Sequence, residues 1–200
     1  QGRDWQEGAG NLAASCVLFP AVPLAQMSLY GCVAALAGHR AITQVTGGQE
    51  IPQLKWPNDL LWKRRKLAGI LLEMSGDAAG PCVVVIGIGI NLTMSINDPV
   101  AIDQPWVDLH EIGGGKPVAR NRVVAAVLNE LLPVVRNFEA AGFESSVELW
   151  NAQDAFLGEE IKLKLGNKTI SGVHQGVESD GSIRILTATG LASFNGGEIG

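Results

Sequence analysis

Lys55-Trp56-Pro57-Asn58-Asp59-Leu60-Leu61-Trp62 runs directly into Lys63-Arg64-Arg65-Lys66-Leu67-Ala68-Gly69-Ile70-Leu71-Leu72. Two apolar runs, 60–62 and 67–74, flank four consecutive basic residues, which predicts two strands joined by a turn. A further strand starts at 54–56, and Pro57-Asn58-Asp59 interrupts it with turn chemistry. Two lysines, an aspartate and an asparagine therefore share twelve positions of an apolar, strand-forming frame. A soluble core has no need of that much charge on a strand pair, so the stretch predicts an anionic ligand. On composition alone, a solvated basic turn is the stronger account of 63–66.

The pattern extends outward from this hairpin. Residues 83–90 are a glycine-spaced apolar strand, and the resulting meander predicts an antiparallel or mixed sheet. Upstream, 12–19 is β-capable and ends at Pro20, and 24–42 has the apolar spacing of a buried helix. Downstream, a polar loop through 97–115 precedes an amphipathic helix over 120–141. Its apolar positions are 123, 124, 127, 128, 131, 134, 135 and 138, and Pro133 is placed to kink it. A second short helix covers 143–150. Beyond Trp150 the texture changes to short β-patterns at 161–165, 169–177, 182–186 and 191–195. Gly166-Asn167 and Asp180-Gly181 are turn dipeptides between them, which suggests a small barrel. The expectation is an α+β fold with units 1–152 and 153–200, and no internal repeat.

The bulk properties exclude several classes. With 200 residues, 46% of them hydrophobic, the chain can bury a full core. A formal charge of −5 without a basic stripe argues against nucleic-acid binding. No apolar run is long enough to span a membrane, and no signal peptide is visible, so the expected location is the cytoplasm. Three cysteines without CxxC spacing read as free buried thiols. His39, His110 and His174 lack metal-ligand spacing and read as solvated or packed. There is no phosphate loop of the GxxxxGK[ST] type, no GxGxxG opening a helix, and no GxSxG elbow.

The remaining chemistry sits around the hairpin. Lys66, at the start of an apolar strand, can present its ammonium to a cleft while its neighbours bury. Gly69 would let a ligand approach the backbone. Lys55 stands at a strand end, where plain surface is the alternative. Asp59 can pair with either lysine, hold Mg²⁺ near phosphates, or simply belong to a turn. In Gly87-Ile88-Gly89-Ile90-Asn91, small residues would admit a flat ligand, and Asn91 either contacts it or merely ends the strand. Arg3 and Trp5 pair a guanidinium with an aromatic face, which suits an adenine beside a phosphate.

Lys55-Trp56-Pro57-Asn58-Asp59-Leu60 with Arg65-Lys66-Leu67-Ala68-Gly69-Ile70 resembles the motif of biotin protein ligases. The neighbours agree in order. Gly2-Arg3-Asp4-Trp5 resembles the end of the family's arginine-rich loop, and Gly10-Asn11-Leu12 the strand entry after it. Gly87-Ile88-Gly89-Ile90-Asn91-Leu92 resembles the GxGxN strand, and Gly196-Gly197-Glu198-Ile199 the ending of the C-terminal domain. The resemblance implies a biotin/lipoate ligase fold like that of class II aminoacyl-tRNA synthetases, with a small C-terminal SH3-like β-barrel.

It also implies a two-step reaction: biotin and MgATP give biotinyl-5′-AMP, and the acyl group then moves to a lysine of a biotin carboxyl carrier protein. Lys66 would meet the biotin carboxylate and the α-phosphate, and Lys55 the phosphates. Asp59 would hold Mg²⁺ or orient the incoming lysine. Arg3, Trp5, Asn58, Gly69, Gly89 and Asn91 would line the site. The family's further arginines and its Ser-Thr-Asn segment would lie before Gln1, so a fragment without the N-terminal DNA-binding domain of bifunctional members is expected. A homodimer is the expected assembly if the strands 67–72 and 83–90 form a contact rather than core. Three alternatives stay open: a non-catalytic biotin or nucleotide module, a lipoate-type ligase, and an interaction protein.

Overall fold

A computed structural model describes residues 10–76, 82–94 and 104–200. Arg3 and Trp5 lie outside these residues. Five strands form the first sheet: β1 (Leu12–Leu18), β2 (Gln53–Lys55), β3 (Asp59–Trp62), β4 (Arg65–Gly76) and β5 (Cys82–Ile90), in the order β1-β5-β4-β3-β2. Every pairing is antiparallel. The alternatives left open for the sheet therefore resolve to the antiparallel one. β4 and β5 are interior strands, hydrogen-bonded on both sides, so they are not edges available to a partner.

One face of the sheet is covered by α1 (Leu29–Val45) and α3 (Arg120–Ala141). Val84, Ile86, Ile88 and Ile90 point into this layer with the two-residue period of a strand buried on one side. α1 is buried almost all round, with 14 of its 17 residues in the core. The helix expected over 24–42 is in fact a single 3-10 turn at Leu24–Gln26 followed by α1, which runs on to Val45. The amphipathic helix over 120–141 is present with those limits and continues through Pro133. Its buried stripe holds Val123, Val127, Leu131, Val134, Val135 and Phe138, whereas Leu128 is exposed. Tyr30 of α1 meets Phe138 edge-to-face at 5.1 Å and donates to Glu139 Oε1 at 2.5 Å. Burial, with the Glu139 carboxylate beside it, raises the Tyr30 pKa and keeps the phenol protonated.

The short helix α4 (Glu144–Gln153) leads to a second antiparallel sheet. It contains β6 (Glu160–Leu165), β7 (Lys168–Val177), β8 (Ile183–Thr187), β9 (Gly190–Phe194) and β10 (Glu198–Ile199), in the order β10-β6-β7-β8-β9. The four expected strands are there, and β10 is an addition too short to be read from the sequence. A one-turn helix, α2 (Leu109–Ile112), interrupts the loop expected through 97–115. Asp108 caps it, accepting from Glu111 N at 2.8 Å and from Met94 N at 2.7 Å.

All three cysteines are free. Burial pushes the Cys32 thiol up to about 12. At pH 8 it is therefore almost wholly protonated and unreactive. Alkylation of the native protein at that pH, followed by peptide mapping, is expected to spare Cys32 and to modify it only after unfolding. His39 is also packed: its Nδ1 lies 2.7 Å from Pro52 O, and burial lowers its pKa. Among the described residues no helix is long and apolar enough to cross a membrane.

Candidate functional site

A bulge in the β3–β4 hairpin decides where Lys66 points. Asp59 pairs with Gly69 and Leu60 with Ala68, but Leu61 then pairs with Lys66, so Leu67 is an extra residue on β4. In a regular strand, Lys66 and Gly69 would face opposite sides, because three positions is an odd step. The extra residue cancels that step and re-aims the lysine. Lys66 Nζ accordingly lies 2.8 Å from Asp59 Oδ1, with the two side chains 20% and 14% exposed.

The registers place one row across the whole sheet: Lys55 opposite Asp59, Asp59 opposite Gly69, Gly69 opposite Gly89, and Gly89 opposite Ala13. Directly opposed residues of antiparallel strands share a face. Lys55, Asp59 and Lys66 therefore stand at one end of a row whose middle is bare backbone at Gly69 and Gly89. Gly87 extends the bare backbone, opposite Leu71, which is 60% exposed. This face is the one opposite the helices. It presents a cationic end and, beside the glycines, the exposed apolar side chain of Leu71, which suits an acyl chain with a charged head. Gly69 does more than expected. A Cβ there would lie 3.2 Å from both Asp59 Oδ1 and Lys66 Cε, so the glycine leaves room for the ion pair itself.

The basic turn is not simply solvated. Lys63 and Arg64 occupy left-handed conformations, with φ of 49° and 65°. Lys63 Nζ sits 4.0 Å over the Trp62 ring. Arg64 stacks on Phe156 at 4.3 Å and bonds Glu159, both from beyond α4. Arg65 forms a forked pair with Glu111 of α2 at 2.6 and 3.0 Å. That hydrogen bond holds the Glu111 carboxyl below its usual range. Each basic residue of 63–66 thus has its own partner, and the hairpin is fixed on both flanks.

Two asparagines act on backbone. Asn58 donates to Ile70 O at 2.5 Å and holds the Pro57-Asn58 turn against β4. Asn91 donates through Nδ2 to Lys66 O at 3.2 Å and to Val107 O at 3.0 Å. Its donors are thereby occupied, and what it offers a ligand is oxygen only. The segment it grips was not anticipated. Where β5 ends, 105–107 takes its place beside β4: Lys66 N donates to Pro105 O at 2.8 Å, and Val107 N to Lys66 O at 2.9 Å. Lys66 pairs in parallel with Trp106, so the indole lies on the face of the lysine. An aromatic residue in a polar loop was the sequence's one hint of it.

Asp59 does not fit a resident Mg²⁺ site. Its Oδ1 is already engaged by Lys66, which leaves one oxygen, and the described residues hold no group of three or more candidate ligands. A cation there would face the lysine's charge at close range.

The sequence model of the Biotin/lipoate A/B protein ligase family matches residues 1–91, and that of the Biotin protein ligase C terminal domain matches 156–199. The biotin–[acetyl-CoA-carboxylase] ligase of Paracoccus denitrificans is 32% identical over 100% of this chain and 83% of its own. The chain belongs to the biotin protein ligase family. Among solved structures, the biotin protein ligase from Aquifex aeolicus in complex with biotin and ATP superposes with a TM-score of 0.84 at 31% identity, covering 100% of this chain and 81% of that one. The fold is therefore that of biotin protein ligases, and the second sheet is consistent with their SH3-like domain. The bifunctional ligase/repressor BirA of Escherichia coli is 34% identical over 76% of this chain. The match spans 47% of that relative, about half its length. In this member of the family, the motif residues Lys55, Asp59, Lys66, Gly69 and Gly89 meet on one face of the sheet. Asn58 and Asn91 donate to the backbone around them.

Proposed function

We propose that this chain carries the ligase centre of an ATP-dependent biotin protein ligase. The observation that carries the reading is the cross-strand row with Lys66 Nζ turned onto its face, 2.8 Å from Asp59. In the first step a carboxylate oxygen of biotin attacks the α-phosphorus of ATP. The new O–P bond forms as the bond to the β-phosphate oxygen breaks, and pyrophosphate leaves with that electron pair. An ammonium has three N–H donors, and Asp59 takes one from Lys66. The other two serve the carboxylate and the α-phosphate, where negative charge builds. Lys55 serves the departing phosphates. Trp106 offers a face for the adenine, and Mg²⁺ arrives on the nucleotide rather than on Asp59. In the second step the amine of a carrier lysine attacks the acyl carbon, AMP departs, and the amine loses a proton. Asp59 orients that amine.

The partners are then biotin, ATP and a biotin carboxyl carrier protein, and the location is the cytoplasm. We divide the chain at 152/153, within one residue of the end of α4 at Gln153 and just ahead of the family match that starts at residue 156. A homodimer completes the reading, supported by Val17, exposed on β1 at the edge of the first sheet. Sedimentation at micromolar concentration checks it, and a monomer with biotin and ATP present rules it out.

The ligase test is direct: incubate the chain with biotin, MgATP and an apo-carrier domain, then follow pyrophosphate release and carrier mass. Adenylate without transfer, or binding without pyrophosphate, would leave only part of the reading standing. Gly69→Ala is a finer probe. The new methyl lies 3.2 Å from both members of the ion pair and displaces it by a few tenths of an ångström. Adenylate formation is expected to fall about tenfold. Stability should change by less than about 1 kcal/mol. Wild-type turnover in this variant would contradict the tight fit at Gly69.

A further inference from the structure

Lys55 is flanked by two residues that both reach the C-terminal part of the chain. On one side, Leu54 pairs in parallel with Asp154, and Leu54 O accepts from Ala155 N at 2.8 Å. On the other, Trp56 Nε1 donates to Gly181 O at 2.9 Å. The segment 154–155 is therefore an outer neighbour of β2.

A buried polar pair holds that segment. Asp154 Oδ2 lies 2.8 Å from His174 Nε2, with both side chains 0% exposed. Asp154 Oδ1 accepts from Phe156 N at 2.8 Å. A carboxylate can only accept, so Nε2 carries the hydrogen, while Nδ1 lies 3.3 Å from both Gly176 N and Arg184 O. Gly176 lies at φ 90° in the irregular step of β7, where a Cβ would stand 2.7 Å from Asn151 Oδ1. The His174 backbone in turn bonds Glu159 O and Gly158 N, each at 2.8 Å. His174 thus connects the 158–159 turn through its backbone, and the β7 bulge and the carboxylate beside Leu54 through its ring. Hydrophobic residues would join two packed units more cheaply than a buried carboxylate and imidazole. What directed hydrogen bonds add is a fixed position.

The geometry points to Asp154 and His174 as a positioning pair for Lys55, holding β2 in register against the second sheet so that the lysine meets the nucleotide phosphates. This rests on the ligase reading. Neither residue touches substrate. The pair acts through the Leu54–Asp154 bridge.

The test compares the wild type, Asp154→Leu/His174→Leu and His174→Gln. The double variant removes both polar partners and leaves no orphan charge. His174→Gln keeps a donor toward Asp154. In the folded double variant, KM for ATP is expected to rise about tenfold while KM for biotin stays within about twofold, and His174→Gln recovers most of the ATP value. A double variant that melts cooperatively with an unchanged KM for ATP would overturn the proposal, as would His174→Gln behaving like the double variant. If the double variant does not fold, amide exchange in the wild type and His174→Gln decides. Slow exchange at Ala155 in both supports the positioning, and fast exchange in either overturns it. A wild type that forms no biotinyl-5′-AMP refutes the ligase reading instead, and the exchange measurement still judges the pair.

Discussion

Lys66→Ala is expected to lower biotinyl-5′-AMP formation by about 10²- to 10³-fold, the usual loss when one preorganised donor to developing charge is removed. The ammonium is held in place three ways: by Asp59, by the bulge at Leu67 that turns it onto the face of the glycine row, and by the 105–107 segment that bonds its backbone on both sides. Such fixed placement matters because a donor that need not reorganise during the reaction stabilises charge most strongly. Lys66→Arg is expected to restore little. The guanidinium is larger, and the space beside Gly69 is already filled to 3.2 Å by the lysine's own Cε. Stability should fall less than activity, since removing Lys66 leaves a carboxylate that is still 14% exposed and can recruit water. Single-turnover pyrophosphate release, with circular dichroism on the same samples, separates the two effects. A folded Lys66→Ala chain that makes adenylate at the wild-type rate would remove the lysine from the chemistry.

The largest expected loss of stability comes from Trp56→Ala. Trp56 is 2% exposed and lies between α1, β4 and the turn at Gly181. Truncating a buried tryptophan costs about 3–5 kcal/mol through lost transfer energy and the cavity left behind. The indole also bridges to Gly181 O, so the change loosens the second sheet as well as the core. Trp56→Phe keeps most of the volume but orphans that carbonyl, at a cost of about 1–3 kcal/mol. Urea denaturation of the three proteins gives both differences. A Trp56→Ala loss below about 1 kcal/mol would mean that the tryptophan does not knit the two sheets together.

The secondary structure was readable where one face of an element is buried and the other is wet. The 120–141 helix carries that contrast in every turn, so its period shows in the sequence, whereas the 83–90 strand shows as a short apolar run spaced by glycines. Elements without the contrast were missed or misplaced. α1 is buried on nearly all sides, so its start at Leu29 had no polar face to mark it. α2 is one turn long, and β10 has two residues.

The motif around Lys55 and Lys66 identified the family by itself, because residue types in order need no geometry. The resemblance of its neighbours weighted the anionic-ligand reading over the solvated-turn reading. The sequence also supplied most of the strand pattern. Tertiary structure decided what those residues do. The bulge at Leu67 is invisible locally, because register depends on a partner strand, and a one-residue slip moves a side chain to the other face. Asn58 and Asn91, read as ligand contacts, also donate to backbone carbonyls that the packed chain brings near. Trp106 reached the face of Lys66, and His174 met Asp154, through contacts between segments far apart in the chain. Such contacts arise only when the whole chain packs, which is why no local pattern announces them.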